Sequence, residues 1–355
     1  MTSILDSRNK IKAIDKSDLI GSVEALPNQI QDAWEQTKNL SFPTDYSSVK
    51  NILISGMGGS NLGGQVIKHL FKDELMLPLE IYPHYHLPGY VSSDSLVVLS
   101  SYSGTTEETL SAAKQALSVK AKIVVITGGG PLADLAREHN WPMYLIDPKF
   151  NPSKQPRMAI GYAVFGQLSI FAKLGLINLS ETDVLNLVDT LSEMTKQLSP
   201  DIENNPAKLL SYNAYDKHLI FVAAEHLIGA AHVVNNQVNE NAKSLTSEWH
   251  LPEFNHHYME ALSYPKLSKE NTLFLLFNSA LYHERVQKRV LITKNLLEQK
   301  GYETHIVLAT GNTKLEQVFE AILIGEFMSS YLPILYGIDP SSIPNVDWFK
   351  TEMNK

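Results

Sequence analysis

The chain has 355 residues, a formal net charge of −8 and no cysteine. That length is enough for two ordinary domains, and 44% hydrophobic against 19% charged residues is the balance of a packed globular protein, not a disordered one. Without cysteine there is no disulfide, no thiolate nucleophile and no zinc–thiolate site, and an acidic excess offers no footprint for nucleic acid, although a local site can still attract an anion.

Met1 to Lys16 is polar and mixed in charge, without the apolar core of a signal peptide. No apolar run approaches the roughly 18 residues that suggest a membrane span. The expectation is a cytoplasmic protein with no membrane partner. Further along, short apolar runs alternate with longer amphipathic ones. Ile52–Ser55 reads as a buried strand, followed by glycines and a helix through His69. Leu96–Ser100 predicts a strand and then a helix from about Thr105. Lys122–Ile126 repeats the unit, with a helix from about Pro131, and Met143–Ile146 is a fourth strand. Helices are predicted over Met158–Leu174 and Glu181–Leu198. The rhythm then resumes with strands at Leu219–Ala223, Thr272–Phe277 and His305–Leu308, and helices over His226–Asn239, from about Leu281 and from about Thr313. This alternation predicts an α/β fold with parallel sheets flanked by helices, built from two units of similar size.

Two loops stand out. Gly56-Met57-Gly58-Gly59-Ser60-Asn61-Leu62-Gly63-Gly64 follows the first strand. A glycine-rich turn before a helix lets backbone N–H groups approach an anion. It is neither a dinucleotide fingerprint, because Asn61 stands where the third glycine belongs, nor a Walker loop. A tight strand–helix turn explains it equally well. The second loop carries Ser101, Ser103, Gly104, Thr105 and Thr106 ahead of Glu107 and Glu108. Helix capping uses one such hydroxyl. Four hydroxyls crowded on one helix start suit a phosphate, held by O–H and free N–H groups. No lysine or arginine lies between Ser101 and Thr109.

Gly-Met-Gly-Gly-Ser followed by Ser-Tyr-Ser-Gly-Thr-Thr-Glu-Glu-Thr resembles a SIS (sugar isomerase) domain. The resemblance implies that Ser101, Ser103 and Thr106 bind the phosphate of a sugar phosphate, with Ser60 and the Gly58 and Gly59 backbone lining the same pocket. Further motifs appear in order: Gln155-Pro156-Arg157, Glu240-Asn241-Ala242-Lys243, Leu251-Pro252-Glu253-Phe254-Asn255-His256, and Asp339-Pro340-Ser341 through Phe349-Lys350. Together they resemble the bifunctional phosphoglucose/phosphomannose isomerases over nearly the whole chain. By that resemblance residues 1–165 form an N-terminal SIS domain with a lead-in helix, 166–204 connect, and 205–355 form a C-terminal SIS domain with a tail. Each would be a three-layer αβα unit.

The residue types suit the chemistry that the resemblance implies, interconversion of glucose 6-phosphate and mannose 6-phosphate with fructose 6-phosphate without a metal or nucleotide cofactor. One base, Glu240, would move a proton between C1 and C2 through a cis-enediolate. Arg157 sits at a helix start, an unfavourable place for a cation unless it faces an anion, and would stabilise the enediolate. His256 and Lys350 would assist ring opening, the histidine coming from the neighbouring subunit of a homodimer. Ser341 stands where many members have threonine, at a position tied to acceptance of the mannose epimer. Ala242 replaces a frequent serine and Phe349 a frequent leucine.

Other readings compete. His84-x-His86 has metal-ligand spacing but no matched carboxylate, and a zinc-dependent phosphomannose isomerase would need a β-rich fold. A non-catalytic sugar-phosphate sensor would carry a basic DNA-binding helix. An amino-sugar phosphate isomerase or deaminase remains open.

Overall fold

The computed structural model describes residues 3–353 and Lys355. Two parallel sheets organise it. The first contains β1 (Asn51–Ser55), β2 (Leu79–Ile81), β3 (Ser95–Ser101), β4 (Lys122–Thr127) and β5 (Met143–Leu145), in spatial order β2-β1-β3-β4-β5. The second contains β6 (His218–Ala223), β7 (Thr246–His250), β8 (Thr272–Ser279) and β9 (Glu303–Ala309), in order β7-β6-β8-β9. Every pairing is parallel. The α/β architecture expected from the alternating pattern is therefore present.

The longer helices are α1 (Leu26–Thr37), α2 (Leu62–Leu70), α3 (Glu107–Ser118), α4 (Gly130–Glu138), α5 (Gly166–Lys173), α6 (Glu181–Leu198), α7 (Pro206–Asn213), α8 (Ile228–Gln237), α9 (Glu284–Gln299), α10 (Lys314–Tyr336) and α11 (Pro344–Met353), with shorter helices and turns before and between them. The apolar strand runs work because both sheet faces are covered. Side chains alternate along a strand, so Ile52 and Ile54 face one side and Leu53 the other. On one side of the first sheet, Leu53, Val97, Leu99, Ile123 and Val125 pack on small residues of α3 and α4. On the other side, Ile52, Ile54, Leu96 and Val98 belong to a core that runs without a break into the second sheet. Both halves share that core through α2, α8 and α10.

Three local outcomes differ from the sequence expectation. Strands β2 and β7 have no counterpart in the predicted elements. Both lie at sheet edges, and β7 (Thr-Ser-Glu-Trp-His) is only half-buried along its length, so neither carries the apolar run of a covered strand. The stretch Met158–Leu174 is not one helix. A 3₁₀ turn at Pro156–Met158 and a π-helical turn at Gly161–Phe165 precede α5. Likewise His226–Asn239 divides into a 3₁₀ turn, α8, and a π-helical turn at Val238–Ala242. Finally, α10 has a window of mean hydropathy 1.5 and is long and apolar enough to span a membrane. That window is 89% buried inside the protein, which makes α10 the central core helix. Its start is secured by a reciprocal cap between Thr313 and Glu316.

Close helix contact across the two halves requires glycine at one place. A Cβ on Gly229 of α8 would lie 2.7 Å from the Gln65 carbonyl oxygen and 2.7 Å from the Val66 Cα of α2. These are backbone atoms and cannot swing away. Gly229→Val is expected to lower stability by about 1–3 kcal/mol through overpacking, read as a lower urea midpoint.

Candidate active site

The carboxyl ends of β1 and β3 present the two loops side by side, the usual ligand position of an open parallel sheet. The glycine loop forms a 3₁₀ turn, Gly58–Asn61, before α2. Ser60 Oγ accepts the Tyr102 N–H at 2.9 Å, which pins this loop to the next. In the hydroxyl loop, Ser101 and Thr106 share a hydrogen bond of 2.8 Å, and Ser103 and Thr105 share one of 2.9 Å. The Gly104 N–H also reaches Ser101 Oγ at 3.1 Å. Thr106 is the N-cap residue of α3, yet its hydroxyl makes no cap hydrogen bond. The first N–H groups of α3 thus lack a side-chain cap. Ser103 and Thr105 face solvent on an exposed turn, while Ser101 is buried. Such an arrangement can hold an oxyanion by hydroxyls and helix N–H groups.

Gly59 joins the cradle to the arginine. A Cβ there would sit 3.3 Å from the Arg157 Cα and 3.3 Å from the Pro156 oxygen, so the glycine loop lies directly on the Pro156–Met158 turn. Arg157 is only 3% exposed. Its Nε donates to Asn241 Oδ1 at 2.6 Å, its Nη1 to Gln155 Oε1 at 3.0 Å, and its Nη2 to the carbonyls of Pro340 and Ser341 at 2.9 and 3.0 Å. A guanidinium has five N–H donors. The donor left over is on Nη1, which lies 3.5 Å from Glu240 Oε2. Burial pulls the arginine pKa down, and the charges of Glu240 and Asp339 oppose that.

Glu240 sits in the middle of the π-helical turn Val238–Ala242. Widened turns of this kind often mark functional positions, because they re-aim one side chain without ending the helix. Burial raises the Glu240 pKa above the usual glutamate value, while Arg157, Lys243 and Lys350 each act to lower it. A carboxylate poised in this way is suited to accept a proton from carbon and return it. Lys350, on the exposed helix α11, is thereby placed near Glu240 by its charge. Ser341 is buried, and its hydroxyl has no partner. His256 is different. It lies exposed on the short helix Phe254–His257, whose Asn255 is bound to Thr293 and Arg289 of α9. None of the interactions around Arg157 and Glu240 described here involves it.

Several residues that hold this cluster have no role in the sequence reading. Asn241 bridges Arg157 and Ser329 Oγ, the latter at 3.1 Å. Gln237 Nε2 donates to the Arg157 carbonyl at 3.2 Å and to Glu326 Oε1 at 2.8 Å. Their one signal in the sequence is proximity: Gln155 and Asn241 flank the arginine and the glutamate. Gln237 and Glu326 carry none. Glu326 is fully buried in α10, and burial pushes its carboxyl up to about 8. Elsewhere, His84 and His86 are exposed, with the His84 ring packed edge-on against Tyr82. Among the described residues no three histidine or acidic side chains gather in a way that could hold a metal ion.

The second sheet repeats the topology, with β6 between β7 and β8 as β1 lies between β2 and β3. Its loops are closed by the chain itself. The 3₁₀ turn after β6 opens with Glu225 at φ 46°, as the turn after β1 opens with Gly58 at φ 51°. The Glu225 carboxylate accepts the His283 N–H, at 3.2 and 3.3 Å, just before α9. Tyr282 Oη accepts the Ala224 N–H at 3.3 Å. The open hydroxyl cradle belongs to the first sheet.

Two parallel sheets of this topology, with a buried arginine beside a half-buried glutamate between them, are those of a tandem SIS-domain protein. Residues 45–150 match the SIS domain family, and residues 203–353 match the family described as the bacterial phospho-glucose isomerase C-terminal SIS domain. A bifunctional phosphoglucose/phosphomannose isomerase of Caldicellulosiruptor bescii is 32% identical over 338 residues, covering 94% of this chain and 98% of the relative. One from Aquifex aeolicus is 30% identical over 336 residues, covering 94% and 97%. The chain belongs to the bifunctional phosphoglucose/phosphomannose isomerase family. In fold it is similar to a hypothetical protein of Thermus thermophilus, with a TM-score of 0.75 at 16% identity over 99% of this chain and 93% of that one. It is also similar to tagatose-6-phosphate ketose/aldose isomerase of Escherichia coli, with a TM-score of 0.64 at 15% identity over 94% of each.

The buried network makes two expectations. Asn241→Ala leaves the Arg157 Nε–H without its acceptor, and stability is expected to fall by about 1–3 kcal/mol in urea unfolding. Glu326 has a folded pKa of about 8 against an ordinary 4.5, so the folded state holds a proton that the unfolded state releases. Its contribution is therefore fully present below about 4.5, is lost progressively as pH rises from about 4.5 to about 8, and changes no further above that. Glu326→Gln is expected to flatten the decline in melting temperature over that window, and an unchanged decline counts against a neutral Glu326.

Proposed function

We propose that this chain is an aldose–ketose isomerase that interconverts glucose 6-phosphate and mannose 6-phosphate with fructose 6-phosphate through a cis-enediolate. The observation that carries the reading is the Glu240 carboxylate 3.5 Å from a buried, donor-rich guanidinium, linked through Gly59 to an uncapped hydroxyl cradle. The names of its relatives point to the same two aldoses.

In this reading Ser101, Ser103, Thr106 and Ser60, with the Gly58 and Gly59 backbone, hold the phosphate. Glu240 removes the proton from C2 of the aldose and returns it to C1, or the reverse. Negative charge that develops on the oxygens at C1 and C2 meets the remaining Arg157 donor. Lys350 and His256 assist opening of the sugar ring. Ser341 offers its free hydroxyl to the sugar near the epimeric centre. The residues supply base, electrostatic stabilisation and proton transfer by themselves, so the proposal includes no metal or nucleotide cofactor.

The reading extends to a homodimer with shared sites. His256 is exposed and takes no part in the hydrogen bonds and ion pair around Arg157 and Glu240, so in this reading a second copy brings it to the site. Helix α11 buries none of its residues and exposes Trp348, Phe349 and Met353, which supports an apolar contact made between chains. A cytoplasmic setting completes the reading and suits a chain without cysteine.

Fructose 6-phosphate is expected to be converted to both aldoses in the presence of chelator, in a coupled assay of each product. Complete loss of rate on chelation sinks the mechanism. Glu240→Gln is expected to lower kcat by about 100-fold or more while substrate still binds by calorimetry. Mixing Glu240→Gln with His256→Ala chains is expected to restore part of the activity, because a heterodimer keeps one complete site. Heterodimers that form and stay inactive count against shared sites.

A further inference from the structure

Lys243 lies three residues beyond Glu240, at the end of the π-helical turn, and adopts φ 54°. A non-glycine residue in the left-handed region is uncommon and costs free energy unless its surroundings hold it there. The surroundings here are specific. The Lys243 ammonium donates to three backbone carbonyls: Asn241 at 3.0 Å, Asp339 at 3.0 Å and Pro340 at 2.9 Å. All three of its N–H donors are thereby used. The Pro340 carbonyl also receives Arg157 Nη2 at 2.9 Å. Two cations therefore grip one short turn, and that turn carries Ser341, whose buried hydroxyl has no partner. The Ser341 N–H is in turn held by Asp339 Oδ1 at 2.9 Å.

We propose that Lys243 is a positioning residue for this reaction: its ammonium holds the Asp339–Ser341 turn, and with it the Ser341 hydroxyl, against the Glu240–Arg157 pair. The assignment rests on the isomerase reading above. It gives Lys243 no contact with substrate. It makes the placement of the Ser341 hydroxyl depend on a charged amine, because a neutral amine has only two N–H groups and presents a lone pair to the third carbonyl.

The charged groups that face Lys243 are Arg157, Asp339 and Glu240. Burial pulls the ammonium down to about 8, with Arg157 acting in the same direction and Asp339 and Glu240 opposing. Lys243 is therefore protonated at neutral pH and loses its proton as pH rises through about 8. Above that point the clamp on the turn loosens. The carboxylate of Glu240 also loses a nearby positive charge. Both effects reach the substrate through other residues, and the first alters where the Ser341 hydroxyl sits relative to the sugar.

The test measures the ratio of mannose 6-phosphate to glucose 6-phosphate formed from fructose 6-phosphate, together with kcat/KM, from about pH 6.5 to 9.5. It uses the full-length wild type, Lys243→Met and Lys243→Arg. In the wild type the initial product ratio is expected to change by about threefold or more as pH passes through the Lys243 transition. Lys243→Met is expected to show the high-pH ratio at every pH, and Lys243→Arg to lose the transition because its charge persists. A role confined to stability would lower the melting temperature and leave both ratio and profile unchanged. If Lys243→Met does not fold, the wild-type profile and Lys243→Arg decide alone. A wild-type ratio that stays constant across the range overturns the assignment, as does a folded Lys243→Met with the wild-type ratio and profile. If the wild type forms neither aldose, the isomerase reading fails and the assignment falls with it. If it forms both and the variants match it, only the assignment falls.

Discussion

A guanidinium buried at the junction of two sheets must find acceptors for its donors, and much of this protein is arranged around that need. Arg157 finds them in Asn241, Gln155 and the carbonyls of Pro340 and Ser341. These partners come from a turn after β5, a widened turn after α8, and the segment after α10. Removing a charge from water is costly unless every donor is matched. Matching them draws three distant segments of chain to one point. The place of Glu240 beside Arg157 is set by the same constraint, since Asn241, its neighbour in sequence, is the acceptor for Arg157 Nε.

The supports of this cluster reach far into the core. Helix α10 is apolar along almost its whole length, yet it contributes Glu326 and Ser329 to the network behind Arg157. Such groups are tolerated in a core when bonded and not otherwise. Glu326 keeps one carboxyl oxygen without a partner, and burial resolves this by favouring the protonated form. The core and the site are therefore coupled through hydrogen bonds as well as through packing. Two π-helical turns, one after Arg157 and one around Glu240, lie beside this network.

The two halves share a topology and differ in chemistry. After β1 and β3 the chain leaves hydroxyls and helix N–H groups open. After β6 and β8 it closes the matching position with its own Glu225 carboxylate. The left-handed first residue of the turn survives in both halves, as Gly58 in one and as Glu225 in the other. The backbone geometry is shared, while the Glu225 side chain fills its own loop and Gly58 has none. The open hydroxyl loops therefore lie in the first half, while Glu240 belongs to the second.

Much of this was legible in the order of residues. Covered strands such as Ile52–Ser55 and Leu219–Ala223 show as apolar runs, because both faces of a parallel sheet are buried. The clustered hydroxyls at Ser101–Thr106 show as well, and the structure gathers them at the uncapped start of α3. The edge strands Leu79–Ile81 and Thr246–His250 did not show, since a half-exposed strand needs no such run. Nor did the breaks in the helices at Gly161–Phe165 and Val238–Ala242, since a π-helical turn keeps helical spacing nearly intact. Resemblance named Arg157, Glu240, Ser341, Lys350 and His256 together, but their arrangement is a matter of tertiary structure. By itself the sequence determined the layer architecture and the crowding of hydroxyls at one helix start, because periodicity and hydroxyl clustering are local properties of the chain. Only the folded structure decided that Arg157 is buried against Glu240, that Lys243 grips the Ser341 turn and that His256 is exposed. Those facts depend on which distant segments satisfy a buried charge, and no local pattern records that.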